Sequence, residues 1–140
     1  MKYYLAYGSN LNLKDMKYRC KNAKLIGTTF LPNYALEFRF YLTVKMKKGS
    51  KVPIGIFKID DKDEIKLDQY EDYPNLYYKK EIDVEFNGQT IKGLIYIMNE
   101  DKRKIELPSE EYYFTCFKGY TDCNLDTKYL IDALNDIEEE

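Results

Sequence analysis

The apolar positions change period along the chain, and each change marks an element. Lys2 to Ala6, apolar at Tyr3, Tyr4 and Leu5, reads as a strand that stops on Tyr7-Gly8-Ser9-Asn10. Leu13 to Cys20 follows as a short helix. Lys24 to Leu31 and Tyr34 to Val44 are β-rich, and Pro32-Asn33 between them is a turn signal. Within the second run Leu36, Phe38, Phe40 and Leu42 share one face, opposite Glu37 and Arg39. The basic stretch Lys45 to Lys51 holds Gly49 and Ser50 and reads as a solvated loop, with a further strand over Val52 to Ile59. Asp60-Asp61 offers an N-cap for a helix over Lys62 to Tyr70, and Pro74 stops it. Tyr77 to Phe86 and Gln89 to Met98 flank Asn87-Gly88, a two-residue hairpin signal. Pro108-Ser109 opens a helix with serine as its cap, running through aromatics to Tyr120. A last helix begins near Asp126. It ends in Glu138-Glu139-Glu140, where negative charge opposes the macrodipole and predicts fraying over about 137–140.

This is about six strands and three or four helices, with no repeat and no linker, so one domain over residues 1–140. Hairpins dominate and no strand–helix–strand alternation is sustained. The fold class expected is α+β: a small curved, mostly antiparallel, barrel-like sheet with flanking helices.

Composition narrows the chemistry. A hydrophobic fraction of 44% with 33% charged residues is that of a globular domain. A net charge of −2 gives no reason to expect a nucleic acid or an acidic membrane as partner. No apolar run approaches the roughly 18 residues of a membrane span, and the N-terminus lacks a secretion pattern, so a cytoplasmic protein is expected. Histidine is absent, which removes the His base, the His metal ligand and the usual Ser or Cys triad. Cys20, Cys116 and Cys123 lie too far apart for a Cys-x-x-Cys pair and read as reduced core thiols. No metal and no cofactor are expected, and nothing selects between monomer and homodimer. Chemistry must come from carboxylates, tyrosines, lysines or backbone dipoles. The 15 tyrosines sit mostly at core spacing rather than interleaved with basic residues, so packing is favoured over a base-stacking platform.

Two stretches carry candidate chemistry. The Tyr7–Asn10 turn feeds a helix, and backbone N–H groups in such a turn suit a carboxylate or a developing oxyanion. By itself such a stretch is more often a plain strand–helix turn. Glu71 follows Leu67 and Tyr70 at the end of a helix and close to aromatics, where partial desolvation raises a carboxyl pKa and makes it a proton acceptor near neutrality. Spacing alone leaves Glu71 as one of 24 acidic residues, most of them surface.

Three motifs together resemble the γ-glutamylcyclotransferase-like family. They are Tyr7-Gly8-Ser9-Asn10-Leu11, then Leu67-Asp68-x-x-Glu71 with Tyr73-Pro74 and Tyr77 following, then Pro108-Ser109-x-x-Tyr112. The resemblance implies Glu71 as general acid/base. It also implies the Tyr7, Gly8, Ser9 and Asn10 loop as the holder of a glutamyl group, with Tyr4 and Tyr112 as further lining. The reaction it implies takes a small-molecule γ-glutamyl amino acid or γ-glutamyl amine to 5-oxoproline and a free amine, with no protein nucleophile. Asp72 follows the acid where the family commonly has glycine. Its carboxylate either repels Glu71 or points away into solvent. Asp72 is also the only support for a non-catalytic domain binding a small anionic metabolite. A third reading is removal of a γ-glutamyl protecting group from one biosynthetic intermediate.

Overall fold

A computed structural model describes residues 2–138. Five strands form one mixed sheet in the order β2-β3-β1-β5-β4. They are β1 (Lys2–Ala6), β2 (Lys24–Arg39), β3 (Tyr41–Ile59), β4 (Tyr77–Phe86) and β5 (Gln89–Met98). The helices are α1 (Leu13–Arg19), α2 (Asp61–Tyr70), α3 (Glu110–Asp122) and α4 (Lys128–Glu138), and a 3₁₀ turn spans Ser9–Leu11. Only β1 and β5 run parallel, meeting at Tyr4 and Leu94. β1 is central, so Tyr4, Leu5 and Ala6 are all buried rather than alternating.

The α+β class is as expected, with three corrections. Five strands stand where six were expected. Pro32-Asn33 is not a turn: β2 runs through it, with a register shift between Pro32 and Tyr34 and a left-handed Asn33 at φ 64°. β2 is an edge strand, so the proline's missing N–H costs no ladder bond on its open side. Lys45 to Lys51 is likewise strand, not loop. Lys45 and Met46 pair with Ala35 and Tyr34, and Lys51 pairs with Pro32, while Lys47 to Ser50 bulge out between them; toward its tip at Phe40 the ribbon is buried at Leu36, Phe38, Leu42 and Val44. The sheet curls but does not close through a backbone ladder. Its outer strands approach through side chains, Thr29 Oγ1 donating to the Glu85 carbonyl at 2.7 Å.

Local signals account for the remaining elements. Asp60 and Asp63 form a reciprocal capping box on α2. Ser109 accepts from the Tyr112 amide to start α3. Asn87 and Gly88, both at positive φ, turn the β4–β5 hairpin. The last helix starts two residues later than expected and continues to Glu138, and Glu139 and Glu140 lie outside the described residues. No described helix is long and apolar enough to cross a membrane. The cysteines are unpaired and buried.

α3 determines where the β1–α1 turn sits. Gly119 lets that helix press directly on the turn: a Cβ there would stand 2.5 Å from the Asn12 amide nitrogen and 2.6 Å from the Leu11 carbonyl carbon. Tyr120 donates to the Tyr7 carbonyl at 2.8 Å, and Asp122 accepts from the Leu13 amide at 3.2 Å. The turn is therefore backed by a helix instead of floating as a loop.

Candidate active site

β1 delivers the first half of the site. It ends at Ala6, and Tyr7 is anchored by donating its hydroxyl to the Tyr96 carbonyl on β5 at 2.6 Å. The chain then bends through Gly8 into the 3₁₀ turn, whose amides at Ser9 and Asn10 precede any intrahelical acceptor. Ser9 and Asn10 are buried although polar, and both are partnered: Ser9 Oγ shares a hydrogen bond with the Tyr70 hydroxyl at 2.8 Å, and Asn10 Nδ2 donates to the Tyr4 hydroxyl at 2.9 Å.

α2 delivers the second half. Leu67 is fully buried and orients the helix, so that its C-cap, Glu71, turns inward. Glu71 Oε1 stands 3.4 Å from Asn10 Nδ2. Tyr4, Tyr7, Gly8, Ser9, Asn10, Glu71 and Tyr112 all line one cavity of about 450 Å³. The structure thus gathers every expected site residue around a single space. The Glu71 residue keeps some exposure because that cavity opens outward, while its carboxyl is packed round by protein. Burial pushes this carboxyl up to about 8, against the opposing pull of the Arg19 guanidinium. Its position at the carbonyl end of α2 further disfavours the carboxylate.

Asp72 takes φ 51°, the left-handed region that a glycine enters freely. Its carboxylate accepts from Asn75 Nδ2 at 3.0 Å, so of the two alternatives it turns to a neighbour rather than crowding Glu71.

Further residues join the wall that sequence reasoning did not place there. Tyr77 donates to the Leu42 carbonyl at 2.8 Å, beside the expected Tyr112, which accepts from the Leu42 amide at 3.1 Å. Tyr96 donates to Asp68 Oδ1 at 2.6 Å, which gives the Asp68 of the mid-chain motif a supporting task. Arg19 was also missed. It donates to Asn10 Oδ1 and lies over the Tyr70 ring, 3.5 Å from the centroid. A basic residue in the last turn of α1 is what any helix end favours, so its spacing carried no distinguishing signal. Among the described residues no three His, Cys, Asp or Glu side chains are grouped to hold a metal ion.

A family model described as gamma-glutamyl cyclotransferase, AIG2-like, matches residues 4–114. The chain belongs to this family. Its fold is also similar to solved structures. One bears the name gamma-glutamyl cyclotransferase, with a TM-score of 0.82 and 21% identity, covering 94% of this chain and 85% of the other. An uncharacterised human protein gives 0.82 and 22%, with the same coverage. YkqA from Bacillus subtilis gives 0.76 and 19%, covering 96% of this chain but 54% of its own length. At such identities these likenesses concern the fold. No match was found among curated proteins. The matched span of the AIG2-like family model takes in the turn, Glu71 and Tyr112, which are the residues that meet at the cavity.

Proposed function

We propose that this chain is a γ-glutamyl cyclotransferase that converts a γ-glutamyl amine or γ-glutamyl amino acid to 5-oxoproline and a free amine. The observation that carries this reading is Glu71: a carboxyl pushed up to about 8, on the wall of a cavity it shares with the Gly8–Asn10 turn.

The substrate's α-amine attacks its own side-chain amide carbonyl, forming the ring C–N bond and breaking the amide C–N bond. The α-ammonium first loses a proton to Glu71, and Glu71 returns a proton to the departing amine. No water is consumed and no group is left on the protein. The raised carboxyl narrows the gap for this transfer, because an α-ammonium has a pKa of roughly 8 or above, which a carboxyl of ordinary value would miss by several units. Ring closure is intramolecular, so holding the substrate folded supplies several kcal/mol of the acceleration. The turn amides are suited to the α-carboxylate or to the tetrahedral oxyanion; removal of one such donor typically costs ~10²–10³ in rate. Neither metal nor cofactor takes part in these steps.

Incubation with γ-glutamyl dipeptides, γ-glutamyl amines and ε-linked γ-glutamyl-lysine, with 5-oxoproline as the measured product, tests the reading. Release from at least one of them is expected. Thermal stabilisation by 5-oxoproline or glutamate, with no turnover of any of them, would instead favour a non-catalytic anion-binding domain.

A further inference from the structure

The Asn10 side chain has two ends, and its neighbours determine which faces the cavity. Arg19 Nη1 meets one end. A guanidinium has five donors and no acceptor, so that end must be the amide oxygen. Nδ2 is thereby turned toward the Tyr4 hydroxyl, at 2.9 Å, and Glu71 Oε1, at 3.4 Å. The opposite orientation would set donor against donor at Arg19 and, once Glu71 has lost its proton, lone pair against lone pair there. Tyr4 then receives a hydrogen bond from Asn10, and among the described residues its own hydroxyl proton meets no protein acceptor. Its ring lines the cavity. Arg19 is held in place by the Tyr70 ring beneath it, and Tyr70 is tied back to Ser9.

We propose that Arg19 is a positioning residue: it orients the hydrogen-bond chain Arg19 to Asn10 to Tyr4, so that Tyr4 offers its hydroxyl proton to the substrate carbonyl under attack. This rests on the cyclisation reading above. As the α-amine adds, negative charge gathers on that oxygen. Tyr4 donates a hydrogen bond to it and keeps its proton. A phenol whose oxygen already accepts an N–H is polarised into a stronger donor. Without Arg19 the Asn10 amide is free to flip, and Tyr4 would then spend its proton on the Asn10 oxygen.

Arg19 has a second consequence at the same site, since its charge favours the carboxylate of Glu71 against burial. The other titratable groups around Glu71 are Tyr4 of β1, Tyr70 of α2, Tyr77 of β4, Tyr96 of β5, and Tyr112 and Cys116 of α3. All of them, like Tyr7 in the turn, are held upward by burial and stay neutral where Glu71 titrates. Asp72 also lines the cavity, but its carboxylate is engaged by Asn75. Lys21, Lys62, Asp63 and Lys66 line a separate cleft together with Arg19 and Tyr70. Among the described residues, Arg19 is therefore the charge that acts on the acid from within hydrogen-bonding reach of Asn10.

The test compares Arg19→Gln, Arg19→Lys, Tyr4→Phe and the Arg19→Gln/Tyr4→Phe pair on the γ-glutamyl amide that the unmodified protein turns over fastest. Arg19→Gln is expected to lower kcat by ~10²-fold, of the order seen when an oxyanion donor is lost, with KM nearly unchanged. Arg19→Lys should recover part of the loss, and the double variant should be scarcely worse than Tyr4→Phe. The acid limb of kcat/KM should move to higher pH in Arg19→Gln. Carbon NMR of the Glu71 carboxyl, assigned with Glu71→Gln in the ligand-free protein, should show the same upward shift. That titration needs no turnover: if every γ-glutamyl amide is inert, the cyclisation reading fails while the Arg19–Glu71 coupling is still measured. Losses that multiply in the double variant, or a Glu71 titration unmoved by Arg19→Gln, would overturn the proposal.

Discussion

Asn10 Nδ2 and Glu71 Oε1, 61 positions apart in sequence, stand 3.4 Å from each other across one wall of the cavity. The contact joins the end of β1 to the end of α2, two elements that share no strand ladder or hairpin. It explains how a carboxyl can be buried yet still addressed: packed protein surrounds Glu71, and among the described residues the Asn10 amide N–H is the group within hydrogen-bonding distance of it.

That burial makes stability depend on pH. Glu71 lies at about 8 when folded against an ordinary value of 4.5, so between those values the folded protein holds the extra proton. Stability therefore falls as pH rises through this window; it is fully present below the ordinary value and lost above the folded one. Glu37 and Glu64 are held below the usual carboxylate range, the first by Arg39 and Lys45 and the second by Lys2 and Lys79, both against burial. Their contribution is lost at more acid pH and does not mask the effect. The melting temperature should decline between about pH 5 and pH 9, and Glu71→Gln should flatten that decline and melt higher at the alkaline end. Calorimetry of both proteins across that range checks it; parallel curves would show that Glu71 titrates normally.

Asp72→Gly restores the residue that the left-handed backbone at φ 51° favours. The gain from relieved backbone strain and the loss from a more flexible unfolded chain are both about 0.5–1 kcal/mol and nearly cancel. Turnover within about threefold of the unmodified protein is expected, with an unmoved acid limb, because Asp72 faces Asn75 rather than the acid. Steady-state kinetics over pH decide this.

Gly119→Ala places a methyl group 2.5 Å from the Asn12 nitrogen and 2.6 Å from the Leu11 carbonyl carbon, both backbone atoms that cannot swing aside. A cost of about 1–3 kcal/mol is expected from this overpacking, visible in urea unfolding. The turn must shift to relieve it, so kcat should fall as well, although Gly119 does not line the cavity. Unchanged stability would mean that α3 does not brace the turn.

Much of this was legible in the sequence where the signal is local. The Asp60 and Ser109 caps, the Asn87-Gly88 hairpin and the strand that stops at Tyr7 each declare themselves within four residues. Pro32-Asn33 misled because a bulge and a turn use the same residues; only the partner strand distinguishes them. Lys45 to Lys51 misled for a related reason: a ribbon exposed on both faces has no buried side to impose alternation, and it reads as polar loop. At the site, Glu71 and the turn were recognisable as motifs. Arg19 and Tyr96 were not, since Arg19 is held by the distant Tyr70 ring and the Tyr96 carbonyl by the distant Tyr7 hydroxyl.

The proposed reaction depends most on the Glu71 carboxyl as the group that moves the proton. The direct measurement is the rate of 5-oxoproline release against pH for the unmodified protein and for Glu71→Gln on one accepted γ-glutamyl substrate. With Glu71 in that role, kcat/KM rises with an acid limb near the folded value of about 8, and falls at least ~10²-fold in a Glu71→Gln protein that still folds. Turnover by Glu71→Gln at the unmodified rate would contradict it.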